Sequence, residues 1–193
     1  MRIRNILASL SLLLSLPVAA APADDFLASL RPHCGKAFEG IITTNEGGAA
    51  NDPFAGQRLV MHVRDCSKSG EVRIPLHVGE DRSRTWIVTR TATGLRLKHD
   101  HRHADGTEDK LTQYGGDTIA PGTAGRQSFP ADAFSRTLFT DNKLPPGAQQ
   151  NVWTLEQGQG TFTYELARPG RVVRMVFDLT KPVAAPPAPW GHE

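Results

Sequence analysis

The chain has 193 residues, with 22 Lys and Arg against 20 Asp and Glu, 39% hydrophobic residues and two cysteines. This is a globular composition. It excludes a disordered, collagen-like or disulfide-dense chain, and the length suits one domain rather than a multidomain enzyme. No basic block marks nucleic acid or an anionic membrane as a partner.

Arg2 and Arg4 precede an apolar run over residues 6–16 (ILASLSLLLSL). The run is too short to cross a bilayer core of about 30 Å as a helix. Pro17 ends it, and Ala19-Ala20-Ala21 and Ala21-Pro22-Ala23 place small residues where a signal peptidase reads. Residues 1–23 are therefore expected to be a Sec-type signal peptide, cleaved after Ala21 or Ala23. The mature protein is expected to be periplasmic or secreted, with no membrane insertion after cleavage. The segment carries two of the 22 basic residues and no acid, so the mature chain balances 20 against 20.

Asp24 and Asp25 ahead of Phe26, Leu27 and Leu30 predict a short helix stopped by Pro32. In an oxidising compartment, Cys34 and Cys66 have only each other to pair with. The expected disulfide closes a loop of about 32 residues and contributes ~3–4 kcal/mol by restricting the unfolded chain.

Beyond Cys34 the apolar residues recur at every second position. Strands are predicted over residues 37–44, 58–66, 71–78, 84–91, 95–103, 110–118, 151–157, 161–167 and 171–179. Most are joined by short turns such as Asp105-Gly106 and Arg168-Pro169-Gly170, which force antiparallel neighbours. One helix interrupts them over residues 130–139, with Pro130 in its first turn and Phe134 and Leu138 on one face. The Pro/Ala-rich tail, residues 183–193, is expected to be disordered, with Trp190 the one residue able to dock.

About nine strands joined mostly by hairpins must bury one face and dispose of two edges, and closing the sheet does both. The expected fold is all-β: an antiparallel up-and-down β-barrel of lipocalin-like type over residues 24–182, with a short N-terminal helix and one inserted helix. A β-sandwich or a cupin-like jelly roll is the alternative. Parallel α/β is disfavoured, because crossover helices are missing.

Turn chemistry sets the expected register. Ala92-Thr93-Gly94 fits a three-residue loop with Gly94 at positive φ, which pairs Ile87 with His99. A hairpin tip at Asp81-Arg82 pairs Leu76 with Ile87. One face then carries Val72, Ile74, Leu76, Val78, Ile87, Leu95, Leu97, His99 and His101. The other carries Arg73, His77, Arg84, Trp86, Arg90, Arg96, Lys98 and Asp100. That second face reads as a patch for an anionic ligand or partner anchored by Trp86, or as an ordinary solvated surface.

The predicted strand over residues 95–103 alternates cleanly, and its apolar face ends in His99, His101 and His103. A two-residue turn at Asp105-Gly106 pairs His103 with Glu108 and brings that carboxylate to the same face. Three imidazoles and a carboxylate suit zinc or another divalent transition metal. Since His99 to His103 spans roughly 13 Å of strand, all three cannot hold one ion without a bulge. The alternative is a polar lining at the barrel mouth.

The spacing Gly94-x6-His101-x-His103-x4-Glu108-x6-Gly115 resembles the first cupin motif, with one residue too many before the histidines. That resemblance implies His101, His103 and Glu108 as metal ligands. Gln150 stands where the second cupin motif would supply a further histidine. More broadly, the stretches 77–86, 97–103 and 114–118 resemble an uncharacterised family of exported bacterial proteins, which implies export and a shared fold but no activity.

There is no GxSxG, no unpaired cysteine, no GxGxxG and no P-loop. The preferred expectation is a non-enzymatic barrel that binds a small apolar or amphipathic ligand. A metal-binding protein or metal-dependent enzyme built on the histidine cluster is the alternative.

Overall fold

The computed structural model describes residues 22–48 and 52–192. Residues 1–21 of the segment expected to be a signal peptide lie outside the described residues, and its last two, Pro22 and Ala23, begin the first helix. The elements in chain order are α1 (Pro22–Leu30), β1 (Ala37–Glu46), β2 (Leu59–His62), β3 (Glu71–Val78), β4 (Asp81–Arg90), β5 (Leu95–His101), β6 (Tyr114–Asp117), β7 (Arg126–Pro130), α2 (Ala133–Asp141), β8 (Val152–Gly158), β9 (Thr161–Arg168) and β10 (Arg171–Val183). Short 3-10 turns follow α1 at Arg31–His33 and precede β8 at Pro146–Gln150.

All ten strands form one antiparallel sheet in the order β6-β5-β4-β3-β2-β1-β10-β9-β8-β7. This is an up-and-down meander whose first and last strands pair, and it curls into a nearly closed barrel. The tenth strand, β7, escapes sequence reading because Arg126-Gln127-Ser128-Phe129-Pro130 is short, polar and ends in proline. Proline is tolerated there because β7 ends the hydrogen-bonded order. Pro130 therefore belongs to a strand, and α2 starts later than expected, with the Asp132 side chain capping Ser135 N–H.

The seam between β6 and β7 is closed by side chains and by one backbone bond. Gly115 N–H donates to Ser135 Oγ at 2.7 Å, that hydroxyl donates to Gly115 O at 2.9 Å, and Asp132 N–H donates to the same carbonyl at 2.9 Å. A Cβ on Gly116 would lie 1.8 Å from Pro130 O, so only glycine lets the two backbones come this close.

The register of the middle strands differs from expectation. The β3–β4 turn lies at Gly79-Glu80, and with an irregularity between Leu76 and Val78 the pairing shifts by three residues: Leu76 meets Arg84 rather than Ile87, and Ile74 pairs with Trp86. The β4–β5 loop is Ala92-Thr93, closed by Thr91 N–H to Gly94 O at 2.9 Å, and Trp86 pairs with His99. Gly94 does not have positive φ; a Cβ there would sit 2.1 Å from Thr118 Oγ1, so close approach is what selects glycine. Both shifts are odd. They cancel for β3 against β5 and invert β4, since side chains alternate along a strand. Val72, Ile74, Leu76, Leu95, Leu97 and His99 do share the inner face, but Trp86 and Val88 join them, while half-buried Ile87 turns outward. The expected outer patch is thereby dismantled. Trp86 is 2% exposed and stacks on Tyr164 across the barrel at 4.4 Å, leaving Arg73, His77, Arg96, Lys98 and Asp100 outside.

Helix α1 plugs one end of the barrel. Phe26, Leu27 and Leu30 are buried in the common core. Asp24 pairs with Arg90 at 2.6 Å, and Gln157 clasps Ser29 through its carbonyl and hydroxyl, both at 2.7 Å. The disulfide is formed: Cys34 and Cys66 have Cα atoms 6.2 Å apart and tie the segment after the plug to the segment after β2.

The tail is docked rather than disordered. Arg82 Nη1 donates to Ala188 O at 3.0 Å, Trp190 N–H donates to Arg82 O at 3.2 Å, and His192 Nε2 lies 2.6 Å from Asp100 Oδ2. The Asp100 side chain is 1% exposed, so outer-face polar groups hold a segment whose composition alone would leave it loose. Among the described residues no helix is long and apolar enough to cross a membrane.

Candidate functional site

The end of the barrel opposite α1 is open. A cavity of about 350 Å³ lies there, lined by the start of β4 (Arg84), the end of β5 (His101), the start of β8 (Trp153), the end of β9 (Arg168) and the start of β10 (Val173). Deeper in, the barrel is filled: Trp86, Phe162 and Phe177 pack together with ring centroids 6.2–6.4 Å apart. The space is therefore a recess at the mouth rather than a channel through the fold. Its apolar walls are Tyr114, Phe139, Trp153, Tyr164, Leu111, Leu144 and Leu166.

Beneath the recess runs a polar network. His99 Nδ1 lies 3.1 Å from Tyr114 O, an acceptor only, so Nδ1 carries the proton and donates. Nε2 is then the acceptor, and Tyr164 hydroxyl donates to it across 3.0 Å. Tyr114 hydroxyl and His101 Nε2 are 3.1 Å apart. Burial lowers the pKa of His99 to about 3, with His101 beside it adding to the effect. Burial, then Arg84, lowers that of His101 to about 4. Burial raises Tyr114 to about 12 and pushes Tyr164 well up too. At neutral pH the whole network is uncharged.

The expected metal set does not converge. His99 has both ring nitrogens committed, His101 lines the recess, and His103 is exposed with Nδ1 3.9 Å from Asp109. Glu108 lies opposite Arg102, not His103, because His103 N–H bonds Thr107 O at 2.8 Å and so places the turn one residue earlier in register. Its carboxylate turns away from the histidine face to Arg102 at 3.4 Å and Gln113 at 3.0 Å. Among the described residues no three His, Cys, Asp or Glu side chains group closely enough to hold one metal ion.

Three of the recess residues that sequence reading missed, Tyr164, Leu166 and Arg168, sit on β9. Phe162, Tyr164, Leu166 and Arg168 alternate along that strand, so its pattern already carried an aromatic stripe ending in a cation. Arg84 was placed on the wrong face by the β4 inversion. It is held by Asp81 and by Ser83 Oγ at 3.1 Å, with its guanidinium 5.5 Å from the Phe54 ring centre.

A larger recess of about 560 Å³ lies outside the barrel, between the β3–β4 face and the docked tail. Its cations are already engaged. Lys68 and Arg73 both reach Glu71, at 3.5 and 2.9 Å, and Arg64 donates to His192 O at 2.5 Å. Comparison with protein-family models, with curated proteins and with solved structures finds no match for this chain.

Proposed function

We propose that the protein is an exported, non-enzymatic carrier that holds a small apolar or amphipathic molecule in the open mouth of its barrel. The observation that carries this reading is the mouth recess itself. It is about 350 Å³, walled by rigid aromatic rings and rimmed by a few polar groups, in a barrel whose other end is plugged. Binding is favoured over catalysis because His101 is held near 4 and Tyr114 near 12, so neither is poised to move a proton at neutral pH. The disulfide supports export to an oxidising compartment.

The test is native mass spectrometry of untagged protein purified from the periplasm or medium, beside the variant Leu111→Trp, which fills the recess from its rim. A co-purifying small molecule in the wild type, absent from the variant, is the expected result. Recovery of the same molecule from both proteins would place binding elsewhere and overturn the reading.

A further inference from the structure

At the rim of the recess, Arg168 is the guanidinium left without an acid. It ends the β9 stripe Phe162-x-Tyr164-x-Leu166-x-Arg168, so its charge lies at the outer edge of the aromatic wall. Its hydrogen-bond partner is Asn151 Oδ1 at 3.1 Å, a neutral acceptor, and among the described residues no carboxylate pairs with it. The neighbouring cations are all matched. Arg171, opposite Arg168 in the hairpin, pairs with Asp52 at 3.1 Å, and Arg84 pairs with Asp81. Burial and the nearby Arg171 both lower the Arg168 pKa, as expected of a desolvated cation lacking a counter-charge. A half-buried guanidinium in this state favours a ligand that brings an anion to it, in the forked geometry that suits carboxylates.

The remaining chemistry of the recess narrows the class. The Tyr114 ring lies 5.4 Å from Phe139 and 5.6 Å from Trp153, centre to centre, and with them gives the recess an aromatic side against which a planar ring can pack. Asp109 also lines the recess, where it accepts Leu111 N–H at 2.7 Å, and its carboxylate disfavours a second anionic group. We propose that the mouth recess binds a small planar aromatic monocarboxylate, with the ring against Tyr114 and Trp153 and the carboxylate on Arg168. This proposal rests on the mouth-binding reading and names its ligand class.

The experiment is calorimetric titration of the disulfide-bonded mature protein with naphthoate, naphthamide and decanoate. Naphthoate should bind at least about tenfold tighter than the isosteric amide, the size expected of one charge-assisted pair. Decanoate, with the same charge and a flexible chain, should bind more weakly than naphthoate. Arg168→Gln should abolish the preference for naphthoate over naphthamide. Equal binding of naphthoate and naphthamide by the wild type would overturn the carboxylate assignment and leave the mouth as a neutral apolar site. Decanoate binding as tightly as naphthoate would overturn the aromatic part. Saturable binding of none of the three would overturn both this proposal and the mouth-binding reading. The wild-type comparison stands even if the Arg168 variant does not fold.

Discussion

Acidification from pH 8 to pH 5 should remove a large part of the fold's stability, through histidines that the barrel keeps neutral. His99 and His101 are held at about 3 and about 4, chiefly by burial. His77, 4% exposed on the outer face with no hydrogen-bond partner at Nε2, is held at about 4, again chiefly by burial. In the unfolded chain each returns to ~6.5. A folded pKa below the unfolded one means that stability is complete above ~6.5 and is lost as pH falls towards the folded values, because only the unfolded chain takes up the protons. At pH 5 the unfolded histidine is almost fully protonated and the folded one almost fully neutral, so each costs about 2 kcal/mol whatever its folded value below 5.

By this arithmetic His99 and His101 together contribute on the order of 4 kcal/mol, and His77 acts in the same direction. His33 and His62, also lowered mainly by burial, act in the same direction. The groups facing these rings do not offset the loss in this window. His99 is faced by His101 and Lys98, and His101 by Arg84, Asp81, Asp100 and Asp109. His77 is faced by His62, Arg64, Arg82 and Asp81. Urea unfolding followed by tryptophan fluorescence at pH 8 and pH 5 measures the difference. His101→Gln, which can keep a hydrogen bond to Tyr114, should shrink that difference by about 2 kcal/mol. A difference under ~1 kcal/mol in the wild type would show that the histidines are not held neutral.

Gly116→Ala should destabilise the barrel by on the order of 3 kcal/mol, because its new methyl meets Pro130 O at 1.8 Å and forces the β6–β7 seam apart. Urea midpoints, with amide exchange at Gly115 as the local readout, check this; wild-type stability would show that the seam is not tightly closed. Reducing Cys34–Cys66, or replacing both by serine, should cost ~3–4 kcal/mol without changing the far-ultraviolet dichroism at pH 8. A loss of secondary structure instead would mean that the bridge holds the native barrel together rather than restricting the unfolded chain.

Legibility from sequence followed the range of the interactions. Alternation and turn residues are local, so nine of the ten strands, the antiparallel meander, the plugging helix and the disulfide pair were all readable. Register was not, because it depends on where each turn closes. Gly79-Glu80 and Asp81-Arg82 are equally good turn sequences, and nothing local says that Trp86 is the residue that must reach Tyr164 across the barrel. The Asp105-Gly106 turn shows the same limit on a smaller scale. The dipeptide was identified, yet pairing His103 with Thr107 rather than Ala104 with Thr107 is enough to turn Glu108 from the histidine face to Arg102. A proposed metal site was thus undone by one residue of register. The recess escaped for a different reason. It is assembled from the ends of β4, β5, β8, β9 and β10, which only barrel closure brings together. What the sequence did hold was each strand's own contribution, such as the aromatic stripe that ends in Arg168. A cation following alternating apolar residues at a strand end is therefore the feature to seek when a barrel is expected and its mouth is not yet known.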